Sequence, residues 1–373
     1  MPAQKPGRPS SFPGVCPSGN LPESPALSHT ARSQMWCLFM VIYFMVSLGT
    51  THGVFRSRRS INPEANMNIS QIISYWGYPD EKYDIVTEDG YILGLYRIPY
   101  GKTNNNNSAQ RLVVYLQHGL LTSASSWISN LPNNSLGFVL ADAGYDVWMG
   151  NSRGSTWSRK HKYLKTNSKE FWAFSFDEMA KYDLPASIDF VLKQTGQEEI
   201  FYIGHSQGTT IAFIAFSTFP KIAERIKIFF ALAPVFSIKH TKCPLLKMAY
   251  KLKSIIKNPA GTSVQNMVHW SQLLYSTNLK AFDWGSPDLN LVHFNQTTSP
   301  SYDVTNMEVP TATWNGERDL LADPEDVETL RSEIKNHFYH KTISYYNHID
   351  FLFGMDAYDQ VYREIIDIIQ VNL

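Results

Sequence analysis

Residues 204–208 read Gly204-His205-Ser206-Gln207-Gly208, a G-x-S-x-G pentapeptide. Glycines at its two ends suit a sharp strand-to-helix turn, where a side chain would clash. Such a turn lifts the serine Oγ clear of a sheet and sets it at the N-terminus of a helix. The flanking residues agree with it, since Glu199–Ile203 reads as a strand and Thr209–Phe219 as an apolar helix. A serine hydroxyl is a weak nucleophile until a base takes its proton. The pattern therefore predicts an acyl-transfer serine, Ser206, with a histidine base oriented by a carboxylate. On this type of turn the partners follow in the order serine, acid, histidine, each at the carboxyl end of a later strand.

The acid is expected at Asp319, just after a strand over Pro310–Trp314, delivered by Asn315-Gly316-Glu317-Arg318. Asp323 and Asp326 are neighbouring alternatives, but both stand where a helix begins, and capping accounts for them. Glu317 reads as a surface charge. The base is expected at His348, directly after a strand over Lys341–Tyr346 and before a terminal helix near Asp359–Ile369. His337 and His340 precede that strand and so fall at the wrong end of the sheet. The oxyanion of a tetrahedral intermediate needs two aimed donors. One is expected from the backbone N–H of Gln207, and the other from Leu120 in the loop Gln117-His118-Gly119-Leu120-Leu121 after strand Leu112–Gln117. His118 reads as a loop-shaping side chain.

Further elements must carry these residues. Tyr83–Val86 and Tyr91–Arg97 flank the turn Glu88-Asp89-Gly90 as a hairpin. Asp146–Met149 and Ile226–Leu232 read as strands, and Phe176–Lys193 has helical spacing. Strands alternating with helices predict an α/β fold with a mostly parallel sheet and helices on both faces. The 373 residues are 43% hydrophobic and 13% aromatic, a globular composition with a large core. Lys+Arg and Asp+Glu are 33 each, which argues against the basic face that bulk nucleic-acid binding needs.

The N-terminus has a different character. Residues 1–34 are rich in Pro, Ser and Gly and read as a disordered leader. Trp36–Leu48 is apolar but falls short of the roughly 20 residues of a spanning helix. With the small residues up to Gly53 it predicts a signal peptide over 35–53. A signal anchor is the alternative, and Met35 is an alternative start. Arg56–Arg59 reads as a solvated basic linker. Sequons at Asn68, Asn106, Asn133 and Asn295 agree with secretion and predict glycosylation. Cys16 and Cys37 lie in the leader region, which leaves Cys243 alone in the mature chain.

With these residues placed, the sequence resembles the acid lipase family, that of gastric triacylglycerol lipase and lysosomal acid lipase. The runs that carry the resemblance include NMNISQIISYWGYP, LQHGLLTSASSWISNLPNNSL, GYDVWMGNSRG, WAFSFDEMAKYDLPASIDF, GHSQGTT, NPAGTSVQNM and YNHIDF, from about Asn66 to the C-terminus. The resemblance implies an α/β-hydrolase fold that hydrolyses triacylglycerols or other long-chain esters at a lipid–water interface, secreted or lysosomal, without metal or organic cofactor. It also implies Ser206, Asp319 and His348 as the triad and Leu120 and Gln207 as oxyanion donors. Glu317 replaces a glycine usual in the family, which would tighten the turn carrying Asp319.

The larger departure is a shortened cap. The core is expected over 66–238 and 301–373, and a truncated cap over 239–300, where relatives insert several dozen more residues. Pro244–Lys257 mixes leucine, isoleucine and lysine and reads as a cap remnant packed on the sheet, or as a basic amphipathic helix at lipid. Tyr250, Trp270 and Tyr275 would line the acyl site or simply pack. A reduced cap would expose apolar surface. Three readings stay open: a lipase, a carboxylesterase for short soluble esters, and a non-enzymatic, cap-deleted form.

Overall fold

In the computed structural model the described residues are 63–103, 110–243 and 261–372. The chain divides into Met1–Ser57 and Arg58–Leu373, and the fold below belongs to the second unit. The leader, the signal peptide, the sequon at Asn106, and Pro244–Lys257 with Tyr250 all lie outside the described residues.

The strand-forming runs make β1 (Glu81–Val86), β2 (Tyr91–Ile98), β3 (Val113–Gln117), β4 (Asp146–Gly150), β5 (Lys160–His161), β6 (Ile200–His205), β7 (Ile226–Leu232), β8 (Thr311–Gly316) and β9 (His337–Ile343). They join in one sheet of order β1-β2-β4-β3-β6-β7-β8-β9, with β5 beside β2. β3, β4 and β6 to β9 are mutually parallel, while β1 and β2 form the expected antiparallel hairpin. All residues of β3, β4, β6 and β8 are buried. That is the signature of parallel strands covered on both faces.

The chain runs from β3 outward to β4, then returns across β3 to β6 and continues through β7, β8 and β9. With right-handed crossovers, this reversal sends helices to opposite faces of the sheet. It also opens a crevice outside the carboxyl ends of β3 and β6, where a ligand site is expected in such sheets. The α/β-hydrolase architecture expected from the sequence is the one formed.

Three element boundaries differ from the sequence reading. β9 begins at His337 and ends at Ile343, several residues ahead of the expected Lys341–Tyr346. His337 and His340 therefore lie in the strand, where both ring nitrogens meet Thr313 Oγ1 at 2.9 and 2.8 Å. Phe338, Tyr339, Thr342 and Ile343 suit a strand, and pairing with β8, in register Thr311 to His337, sets where this edge strand begins. The long helix expected at Phe176–Lys193 contains a π turn at Met179–Asp183, followed by α-helix Leu184–Thr195. Pro185 lacks an N–H, so the ordinary ladder is interrupted there. The terminal helix likewise enters through a π turn, Tyr358–Tyr362, and runs Arg363–Val371.

A buried ion network pins the hairpin to the sheet. Arg153, 1% exposed, donates to Asp183 at 2.8 Å and to Asp89 of the hairpin turn at 2.6 Å. Its guanidinium also covers the Tyr91 ring at 4.0 Å.

Candidate active site

Ser206 stands between the last residue of β6 and the helix Gln207–Thr218 with φ 55° and ψ −123°. Few non-glycine residues take such a backbone, and strain of this kind collects at functional sites. The surroundings hold it there. Ser206 N–H donates to Leu232 O at 3.1 Å, and its own carbonyl accepts Thr209 Oγ1 at 2.6 Å. The pentapeptide glycines are sterically required. A Cβ on Gly208 would meet Gln117 O at 2.3 Å, and one on Gly204 would meet Gly208 C at 2.9 Å.

His348 Nε2 lies 2.7 Å from Ser206 Oγ, and His348 Nδ1 lies 2.7 Å from Asp319 Oδ2. With the carboxylate accepting a hydrogen bond from Nδ1–H, Nε2 is left as the acceptor for the serine hydroxyl. The second carboxylate oxygen of Asp319 accepts the N–H groups of Leu321 and Ala322 at 2.8 and 2.9 Å. The Asp319 side chain is wholly buried, and that of His348 is 18% exposed. The three residues come from the ends of β6, β8 and β9.

The alternative acids are occupied elsewhere. Asp323 caps the helix Pro324–Glu333 by accepting Glu325 N–H at 3.1 Å. Asp326 is not a cap, because it accepts the His240 N–H and Ser237 Oγ instead, tying the segment after β7 to this helix. Glu317 is exposed, and its N–H donates to Ile343 O at 3.1 Å. The substitution at Glu317 leaves the turn in place because a neighbour does the steric work. A Cβ on Gly316 would strike Tyr346 O at 2.2 Å.

The loop after β3 presses on the nucleophile. A Cβ on Gly119 would sit 2.9 Å from Ser206 Cβ. Leu120 follows it, and Leu121 takes the left-handed region at φ 60°. Gln207, the first residue of its helix, has an N–H outside the intrahelical ladder. His118 is buried below this loop. Its Nε2 accepts Ser152 N–H at 3.1 Å, so the Nδ1 proton points to Gly119 O at 2.8 Å. Burial pulls its pKa down to about 4. It is thus a neutral brace under Gly119.

The chain is similar to known proteins over most of its length. Residues 69–131 match the family described as a partial alpha/beta-hydrolase lipase region, and 113–251 match the alpha/beta hydrolase fold. Lipase member J of Homo sapiens is 69% identical over 366 aligned positions, which cover 82% of this chain and all of that protein. Gastric triacylglycerol lipase of Homo sapiens is 51% identical over 393 positions, covering 90% of this chain and 99% of that one. The chain belongs to the acid lipase family.

Among solved structures, the Pyrococcus furiosus esterase shares the fold, with TM-score 0.51 at 16% identity, over 80% of this chain and 93% of its own. The alignment with lipase member J uses 366 positions but only 82% of these 373 residues, so dozens of positions in that acid lipase have no counterpart here.

Two features of this acid lipase escaped the sequence reading. His205, to which the sequence reading gave no role, is buried, and its Nε2 lies 2.8 Å from the backbone O of His348. Burial, and then the nearby His348, pull its pKa down to about 3, so it is neutral and donates that bond. The other is the side chain of Gln207, which is held by residues of a helix far along the chain. Its position beside the serine was a signal for His205, but nothing local pointed to the Gln207 contacts. Trp270, expected to line the acyl site or pack, is 2% exposed and faces Gln207, while Tyr275 is 80% exposed. Asn133 and Asn295 are exposed, and Asn68 caps the helix Ile69–Tyr75 through a reciprocal bond with Gln71.

Proposed function

We propose that this protein is a secreted or lysosomal serine lipase that hydrolyses triacylglycerol or other long-chain carboxylic esters through an acyl-enzyme. The observation that carries the mechanism is the relay from Ser206 to His348 to Asp319, with both links at 2.7 Å. His348 takes the Ser206 proton as Oγ attacks the ester carbonyl. Asp319 holds the imidazole tautomer and stabilises its charged form. The N–H groups of Leu120 and Gln207 receive the oxyanion, each such donor being worth about 10²–10³ in rate. His348 then protonates the departing alcohol, and water repeats the cycle on the acyl-enzyme.

An apolar substrate suits the surface beside the triad. Leu320 and Ile349 directly follow the acid and the base, and both are about half exposed, as is Phe353 nearby in sequence. Asn134 Nδ2 donates to Gly354 O, which brings the exposed Leu131 and Met355 to the same side. No helix among the described residues is long and apolar enough to cross a membrane. The secretory route rests on the apolar segment Trp36–Leu48 and the sequons.

The positions missing relative to lipase member J favour a second reading, in which a shortened cap restricts the enzyme to short, soluble esters. Hydrolysis of matched short-chain and long-chain esters by the purified protein, beside Ser206→Ala, tests both. Activity on both classes, abolished in the variant, supports the lipase. Activity on short esters alone supports the esterase. A folded protein without Ser206-dependent hydrolysis refutes both.

A further inference from the structure

Gln207 has a buried side chain as well as a backbone N–H at the elbow. Its Oε1 accepts Trp270 Nε1 at 2.7 Å and Asn266 Nδ2 at 2.8 Å, and its Nε2 faces Met179 Sδ at 3.4 Å. Gln207, Asn266 and Trp270 are 3%, 0% and 2% exposed. Two donors on one carbonyl oxygen use both of its lone pairs and leave the amide one orientation. The donors lie four residues apart on one face of the helix Val264–Leu273. That helix is itself fastened. Ser263 caps it by accepting Asn266 N–H at 2.8 Å and donates its own hydroxyl to Phe174 O. The Trp270 ring packs on Phe176 at 5.0 Å between centroids.

We infer that Asn266 and Trp270 are positioning residues, which grip the Gln207 side chain and thereby hold the Ser206–Gln207 peptide with its N–H aimed at the oxyanion. The inference rests on the serine hydrolase mechanism proposed above. An oxyanion donor acts at 2.7–3.1 Å from the developing charge, so a small rotation of that peptide removes much of its effect. The helix Val264–Leu273 is then part of how the nucleophile loop works, beyond covering the sheet.

The test is a double-mutant cycle on the full protein with a short-chain p-nitrophenyl ester, a substrate that needs no lipid interface. Trp270→Phe keeps an aromatic ring, though a smaller one, and deletes the indole N–H. Gln207→Met keeps the backbone N–H and deletes the side-chain acceptor. Each is expected to lower kcat about tenfold with KM little changed, and the double variant is expected to be no worse than either single one. Thermal melting of each variant is followed in parallel. Additive losses, or losses of activity that track melting alone, would mean that Trp270 merely packs and would overturn the inference. So would a folded Trp270→Phe variant with wild-type kcat. Asn266→Ala replaces Trp270→Phe in the cycle should that variant fail to fold. The Ser206→Ala control separates the two levels: hydrolysis that survives it overturns the serine mechanism and this inference together, whereas its loss leaves the cycle to judge the inference alone.

Discussion

Gly119→Ala tests the oxyanion loop most sharply, because the structure says where the added methyl goes. It would stand 2.9 Å from Ser206 Cβ, 3.2 Å from His205 Nδ1 and 3.3 Å from His205 O. Carbon atoms settle at about 3.5–4.0 Å, so the shortfall against Ser206 is roughly 0.5–1 Å. Ser206 has little freedom to yield, with its N–H on Leu232 O and its Oγ on His348. The His118–Leu120 loop must retreat instead, and it takes the Leu120 N–H with it. A displacement of that size carries a donor out of its working range, so kcat is expected to fall about 10²–10³-fold. The overpacking itself costs about 1–3 kcal/mol, which leaves the protein folded. Steady-state hydrolysis of a soluble ester, with thermal melting alongside, reads both quantities. A folded variant with kcat within about threefold of wild type would refute Leu120 as the second donor.

Four further outcomes are expected. Asp319→Asn should lower kcat by about 10⁴ with little change in melting, because the amide no longer enforces the His348 tautomer; a loss under about tenfold would argue against this acid. Asp177 accepts Phe282 N–H and Tyr302 Oη, each at 2.8 Å, and burial pushes its pKa from 3.8 up to about 7. Between those values the unfolded chain releases a proton that the native chain keeps, so stability from this group is lost as pH rises. Asp177→Asn should therefore gain stability relative to wild type by up to about 4 kcal/mol from pH ~4 to pH ~7 in denaturant midpoints; a difference flat with pH would refute this. Arg153→Met leaves Asp183 and Asp89 without their shared cation and should cost about 3–5 kcal/mol in denaturant unfolding, against a null expectation of near zero for a surface pair. Protein secreted from animal cells should lose mass at Asn133 and Asn295 on enzymatic deglycosylation, and unmodified peptides at both would count against the secretory route.

The elbow was legible because its sequence pattern is local. A strand, two glycines and an apolar helix are contiguous, although Gly208 answers a contact with Gln117 of the distant β3. Asp319 and His348 were legible for a related reason, since each follows a recognisable strand in the order that the mechanism requires. The displacement of β9 shows the limit of that reasoning. Its Phe338 and Tyr339 suit a strand, but only pairing with β8 fixed where that strand starts and stops. His348 kept its place because the residues from Ser344 onward form the turn that leaves the strand.

The amino-acid sequence by itself determined the hydrolase architecture, the nucleophile and the order of its candidate partners, because hydrophobic periodicity and turn residues act over a few positions. Tertiary structure alone decided that Asp326 tethers rather than caps, that His205 holds the His348 carbonyl, and that Asn266 and Trp270 grip Gln207. Each of those bonds joins segments dozens of residues apart in the chain. A lone side chain carries no mark of a distant partner until the sheet has brought the two together, and the desolvation of both groups then makes their pairing obligatory.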